Sequence, residues 1–475
     1  TNNIYNFTCF IYKLLRPLWH KSSFIINETS NIIMKKKTVL FASCLLGTLA
    51  FSSCEKNLYD ESKQPEKELQ MKDLDIPADF QWKLTRTAEG TVSANTPTMV
   101  SLFLDEKCSE KEKIAMISVD AKSLGQQPDD LPLSLPTYVE TLYAKYETEN
   151  GMQSIPVKIV NGSFSLNIKD AKTTTTQTRA VTRGGDKGTG HDIEEDIRYS
   201  KGVVYHPKKD WGTIMYEDQF PILGDYDFND FVINYKVKFN AYKKKGNEYM
   251  SDLMTIKLRI KARGGIYLYY PYLRLKEIDQ KDVESVKITD PKTTDKEFEV
   301  KYMDKEKFII DCSDLILNLP QPAGSRYFNV EKTALVDTEE LPEFEIEIKL
   351  NTAKEVKEIL EDDEFDLYIA RKDGDKTEIH ANGIEPAFYK YPFNNPDLLP
   401  VYESDGDEED DNYYFSKERL IWGLRVPGNV AHAIEAADFL KAYPGFKKWA
   451  TSGGKDEQNW YGQGNVDKSL LIYND

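Results

Sequence analysis

GDYDFNDFVINYKVKF, residues 224–239, carries two incompatible periodicities. From Phe231 onward Phe231, Ile233, Tyr235, Val237 and Phe239 form an apolar face at odd positions, against Asn234, Lys236 and Lys238, the period of a half-buried strand. Just upstream, Tyr226 and Phe228 are apolar at even positions. One pleated strand cannot bury both sets on one face, so the chain is expected to turn or bulge near Asn229 and Asp230. Such a bend lets Asp225, Asp227 and Asn229 curl around a centre while Asp230 approaches from the start of the strand, with Glu217 and Asp218 close by in sequence. Two unit charges about 4 Å apart repel by roughly 4 kcal/mol at an effective dielectric near 20, so a folded loop holding these carboxylates calls for a cation.

Oxygen ligands at relative positions 1, 3 and 5 suit Ca²⁺, which takes six to eight oxygens. The loop is not an EF-hand, because Asp230 stands where that loop needs Gly and Lys236 where it needs Glu. The expected ligand set is Asp225, Asp227, Asn229, Asp230, Glu217 and Asp218. The competing reading is a polar turn whose Asp and Asn side chains bond only to backbone amides.

Around this stretch the pattern is that of strands. MTIKLRIKAR (254–263) alternates through Met254, Ile256, Leu258 and Ile260 and predicts a long hairpin with its tip near Gly246. PEFEIEIKL and EFDLYIARK add two more strands. Helix is expected only in short pieces, KEVKEIL (354–360) and EAADFLKAYPGFKKWA (435–450), where Pro444 must end one helix before another turn begins. Toward the N-terminus, DFQWKLTRT predicts a strand through Phe80, Trp82 and Leu84, TMVSLFLDE and TYVETLYAKYE two more, and VKIVNGSFSLNI a hairpin turning at Asn161-Gly162. AKTTTTQTRAVTRGGDKGTG, within 171–200, is too poor in apolar residues to order itself and reads as a linker. The predicted architecture is mainly β. A small antiparallel β-sandwich, Ig-like, spans 79–170, and a larger antiparallel β-sandwich or jelly-roll-like domain with short C-terminal helices spans 201–475.

The 475-residue chain carries 79 Asp plus Glu against 62 Lys plus Arg, a net charge of −17. That balance argues against a nucleic-acid partner, which needs clustered cations. MKKKTVLFASCLLGTLAFSSC (34–54) has a charged start, a short apolar run and small residues before Cys54, the form of a secretory signal. The run is too short to span a bilayer, which needs about 20 apolar residues. Small residues followed by Cys resemble the bacterial lipobox, so Cys54 is expected to be acylated, anchoring the chain to outer-membrane lipid. Phe51 stands where Leu is typical. Residues 1–33 read as translated upstream sequence, 34–53 as the signal, and 54–78 as a solvated tether. Acidic residues behind the acylated Cys resemble an export signal of surface lipoproteins, which points to exposure at the cell surface. Cys108 and Cys312 then remain, too few for a disulfide framework.

YEDQFPILGDYDFNDFVINY (216–235) resembles the signature of the LruC-domain lipoproteins, approximately FEDxWPxxGDYDFNDxVxxY, with Tyr216 for Phe and Phe220 for Trp. The likeness continues weakly in TEIHANGIEP (377–386), where that family tends to have a His-Leu-Pro-Gly run and this chain has His380, Ala381, Asn382 and Gly383. It strengthens in KAYPGFKKWATSGG (441–454) and at Trp460-Tyr461. The resemblance covers 201–475. It implies a mostly β domain of unknown function on secreted or surface-anchored bacterial proteins and brings no catalytic activity with it. Related acidic motifs in secreted β-domains are generally taken as calcium-binding.

Other constellations are weaker. DGDEEDDN (405–412) reads as a solvated acidic loop. GGIYLYYPYLRL (264–275) reads as a strand packing aromatic rings on both sides, with sugar stacking as the alternative. His380 near Glu378 reads as structural rather than as an acid/base. No nucleophile elbow, Cys-His pair or phosphate-cradling loop occurs. The expectation is a non-enzymatic, lipid-anchored surface protein whose Ca²⁺-stabilised β-domain binds an extracellular protein or glycan, as adhesion proteins do. The alternative is a secreted glycan hydrolase using carboxylates that spacing does not identify.

Overall fold

The computed structural model describes residues 69–119, 129–173, 202–243, 249–293, 296–317, 319, 327–360, 364–372, 374–401, 412–462, 464 and 466–474. Cys54, the leader, most of the 171–200 linker, the hairpin tip near Gly246 and all but the last residue of the 405–412 acidic run lie outside the described residues. Among the described residues no helix is long and apolar enough to cross a membrane.

The described residues form mainly antiparallel sheets. The first strands are β1 (Thr85–Ala94), β2 (Thr98–Phe103), β3 (Lys113–Val119), β4 (Asp129–Pro136), β5 (Thr141–Thr148), β6 (Gly151–Lys158) and β7 (Ser163–Ile168). There follow β8 (Gly202–His206), β9 (Gly212–Tyr216), β10 (Phe231–Lys243), β11 (Tyr249–Ala262), β12 (Tyr269–Asp279), β13 (Val283–Thr289), β14 (Glu297–Phe298), β15 (Lys307–Asp311), β16 (Glu343–Glu355), β17 (Phe365–Arg371) and β18 (Glu378–Ile379). The C-terminal part adds β19 (Gly423–Val426), β20 (His432–Ala433) and β21 (Leu471–Ile472). Among the described residues the α-helices are α1 (Val356–Leu360), α2 (Phe439–Ala442) and α3 (Pro444–Thr451). Pro444 opens α3, where its missing N–H costs nothing, so it separates α2 from α3 as the sequence requires.

The segments expected as two domains share one sheet. A 12-stranded layer runs β14-β13-β16-β11-β10-β8-β3-β2-β5-β6, with β9 on β10 and β19 on β9. The join is β3 against β8, Ala115 opposite Val204, on either side of the predicted linker. Two smaller sheets, β4-β1-β7 and β15-β12-β17-β18, supply apolar faces to the same core: Val92 and Leu133 from one and Leu273 and Ile369 from the other are buried with Val100, Val204 and Ile256. Leu69 to Asp475 accordingly forms one compact unit.

Two local expectations change. Asn161 (φ 51°) and Gly162 (φ 73°) do make the left-handed turn, but only Val160 and Ser163 bridge across it. Beyond that bridge β6 joins β5, and β7 joins β1 in parallel, so the first sandwich is not wholly antiparallel. Residues 80–84 do not form a strand. Trp82 has φ 57°, and its indole N–H donates to the Arg419 carbonyl at 2.8 Å, placing Phe80, Trp82 and Leu84 in a second core with Phe446, Trp449 and Trp460.

The two periodicities of 224–239 find their explanation in these cores. Phe231, Ile233, Tyr235, Val237 and Phe239 face the main core. Tyr226 and Phe228 face the second, with Phe439 and Phe446. The acidic loop lies at the seam between them.

Candidate metal centre

The loop leaves β9 at Glu217 and re-enters the sheet at Phe231. Its bend is carried by Tyr226 (φ 57°) and Phe228 (φ 52°), just before the predicted position. A left-handed conformation costs a residue with a Cβ roughly 1–2 kcal/mol. The buried Glu217 carboxylate offsets this by accepting the Tyr226 amide at 3.1 Å and the Phe228 amide at 2.7 Å. Asp230 Oδ2 accepts the Asp218 amide at 2.7 Å, and Asp218 Oδ2 accepts the Tyr267 amide at 2.7 Å. Asp227 Oδ1 accepts the Asn229 amide at 3.2 Å, while its Oδ2 accepts Asn229 Nδ2 at 2.7 Å and the Ala436 amide at 2.8 Å. The amide-bonding expected of a plain polar turn is therefore present, but it does not use every oxygen.

One carboxylate oxygen each from Glu217, Asp225 and Asp230 lies within 4.8 Å of the other two. At that spacing each ionised pair costs roughly 3–4 kcal/mol at an effective dielectric near 20. Asp225 is exposed, whereas Glu217, Asp218, Asp227, Asn229 and Asp230 are buried. Burial, then Asp230, Asp227 and Asp225, drives the Glu217 carboxyl well above the usual range. Burial, then Asp225, Asp230 and Glu435, pushes Asp227 up to about 9. Burial and then Asp218 push Asp230 up to about 8. Asp218 is also raised, chiefly by burial.

Two buried oxygens, Asp218 Oδ1 and Asn229 Oδ1, have no hydrogen-bond partner, in residues 2% and 0% exposed. An orphaned buried acceptor costs about 1–3 kcal/mol. Glycines make room for the group: a methyl at Gly224 would collide with Glu217 Oε2, and one at Gly265 with Asp218 Oδ2. The donors are carboxylate and amide oxygens, with no sulfur or imidazole among them. That set fits Ca²⁺ rather than zinc or a softer metal.

Of the six expected ligands, the structure gathers Glu217, Asp225 and Asp230 at one point, with Asp218 held beside Asp230. Asp227 and Asn229 turn toward the 433–436 segment instead. Gly264, Gly265 and Glu435 were missed. Nothing in local spacing signals them, since Asp227 and Ala436 meet across 209 positions of chain.

His380 belongs to a different arrangement. It is fully buried, with Nδ1 2.9 Å from Asp366 Oδ2 and Nε2 3.1 Å from Glu378 Oε2. A carboxylate at each ring nitrogen requires both to donate, so the ring is an imidazolium. Burial alone would lower its pKa, but Asp366 and Glu378 outweigh burial and raise it. Burial would likewise raise Asp366, yet His380 and Arg274 hold it at about 2, Arg274 Nε donating at 2.8 Å. Glu378 also accepts the amides of Ala387 and Phe388 at 2.6 and 3.0 Å. Tyr368 stacks on the imidazole at 4.2 Å. This is a structural polar core with no access for a substrate. The aromatic run 264–275 divides similarly: Tyr269 and Tyr270 are buried on β12, while Ile266, Tyr267 and Leu268 are exposed beside the acidic loop. Cys108 and Cys312 are buried and free.

No curated protein matches this chain. A crystal structure from Bacteroides ovatus, described as that of a candidate lipoprotein, matches with a TM-score of 0.54 at 18% identity, covering 79% of this chain and 99% of that one. That likeness is one of fold. Residues 252–461 match the family described as Domain of unknown function (DUF4842), so over that span the chain is similar to a domain family whose function is unassigned.

Proposed function

We propose that this chain is a lipid-anchored, surface-exposed, non-enzymatic protein whose β-domain is stabilised by Ca²⁺ at the 217–230 loop and presents a binding face to an extracellular protein or glycan. The observation that carries the cation is the convergence of Glu217, Asp225 and Asp230, one carboxylate oxygen of each within 4.8 Å of the other two, with the principal charges acting on Glu217 and Asp230 being those of other carboxylates. A divalent ion neutralises that set and gives the orphaned Asp218 Oδ1 a partner. The anchor is supported by the lipobox-like run ending at Cys54 and by the fold shared with a protein described as a candidate lipoprotein.

Thermal unfolding of the full chain against CaCl₂ tests the cation. At 100 times its dissociation constant the ion adds about 2.7 kcal/mol, and an unchanged midpoint at millimolar calcium overturns the reading. Incorporation of labelled palmitate in cells, lost in Cys54→Ala, tests the anchor.

A further inference from the structure

We infer that Glu435, Asn229 and Asp227 form a second divalent-cation centre, beside Gly264, that fastens the C-terminal helical segment to the sheet. The inference rests on the loop taking Ca²⁺ at all, but it uses different oxygens. Glu217, Asp225 and Asp230 converge without any of these three residues.

The decisive atom is Asn229 Oδ1. Asn229 is wholly buried, and its Nδ2 is committed to Asp227 Oδ2 at 2.7 Å and to the Ala433 carbonyl at 3.4 Å. Those two acceptors fix which end of the amide is nitrogen, so the atom left without a partner is the oxygen. That oxygen points at Gly264, where a methyl group would strike it and would come within 3.0 Å of Glu435 Oε2. Two oxygens from residues more than 200 positions apart thus lie over the same glycine, and a side chain there would fill the space between them.

Gly264 is held in place by its own amide, which donates to the carbonyls of Asn229 and Asp230 at 3.1 Å each. Asp227 stands next to both residues, bonded to Asn229 Nδ2 at 2.7 Å and to the Ala436 amide that follows Glu435 at 2.8 Å. Glu435 is brought there by its backbone, whose amide donates to the Val330 carbonyl at 2.9 Å, followed by Ala436 in a left-handed turn (φ 58°). Two carboxylates and a neutral amide oxygen make a hard, doubly negative donor set, the kind that binds Ca²⁺.

The position gives the ion a task. Residues 433–436 lead directly into α2 and α3, whose Phe439, Phe446 and Trp449 pack with Trp460 and with Phe228 of the acidic loop. An ion between Asn229 and Glu435 therefore ties this aromatic core to the first residues of β10. Calcium would govern how firmly the C-terminal segment docks, besides neutralising the loop.

The test is calorimetric titration of the calcium-stripped full chain with CaCl₂, alongside Glu435→Gln and Asp225→Asn. The wild-type chain is expected to take two ions. Glu435→Gln should take one, with the other weakened by about tenfold or more, and Asp225→Asn should lose the opposite one. Near-ultraviolet circular dichroism of the tryptophans should respond to the second ion in the wild-type chain and not in Glu435→Gln. Glu435→Ala is a second variant, because the backbone bond to Val330 does not need the side chain. Its calcium-free spectrum should match the wild type. One ion in the wild-type chain, or two undiminished ions in both Glu435 variants, overturns this centre and leaves the first intact. No binding to the wild-type chain overturns both.

Discussion

Two groups of buried carboxylates in this molecule meet the same problem in opposite ways. Around Asp366 the protein supplies its own cations: Arg274 and the His380 imidazolium stand at hydrogen-bond distance, and the carboxyl is held at about 2. Around Asp230 the principal charges are those of other carboxylates and its hydrogen-bond donor is a backbone amide, and Asp227 and Asp230 rise to about 9 and 8. Burial is comparable in the two places, so the difference lies in what faces the carboxylate. A site neutralised from within is finished when the chain folds. A site left negative is, we propose, finished from solution.

The contrast can be broken or sharpened experimentally. Arg274→Met removes one internal cation from a buried pair, which should cost about 3–5 kcal/mol. The loss in urea unfolding should be the same with and without calcium. A loss that calcium repairs would show that the two sites are not independent. Next in size is the loop itself. Asp225→Ala should reduce the calcium-induced gain by the about 2.7 kcal/mol expected from one ion at 100 times its dissociation constant, and an undiminished gain would place that ion elsewhere.

The pH dependence should also separate the sites. Asp227 and Asp230 have folded pKa values above their unfolded ones, so their contribution is present at low pH and lost as pH rises toward 8 and 9. In calcium-free buffer stability should therefore fall from pH 5 to pH 8, by roughly 1 kcal/mol per pH unit for each group. Saturating calcium should flatten the curve. Asp366 has the reverse sign, its contribution being lost only as pH falls toward 2, and His380 loses its contribution only above its raised pKa. The smallest effect is expected from Asp230→Asn, which keeps an acceptor for the Asp218 amide but removes a charge. It should stabilise the calcium-free protein by about 1 kcal/mol while weakening the calcium response, and a destabilised calcium-free variant would mean that repulsion is not what the loop lacks.

Much of this was legible in sequence because it depends on short-range periodicity. The alternation at 231–239 and 254–260 placed β10 and β11 in register, Ile233 opposite Ile260 and Val237 opposite Ile256. Pro444 set the break between α2 and α3, and Asn161-Gly162 set a left-handed turn. Phe80 and Trp82 misled for the same reason. Their alternation is that of a strand, but what buries them is a cluster of aromatic rings more than 300 residues away. The Asn161-Gly162 turn likewise formed, but its strands found better partners in two different sheets.

At the acidic loop the sequence by itself determined that the chain must bend and that charge would accumulate, because both follow from parity and from carboxylate spacing within a few residues. Only the tertiary structure decided which oxygens converge, that Asp227 and Asn229 turn away from Glu217, and that Glu435 and Gly264 meet them. The meetings with Gly264 and Glu435 join residues some 30 to 200 positions apart. They are fixed by the packing of two apolar cores against each other, a long-range energy that leaves no mark in local spacing.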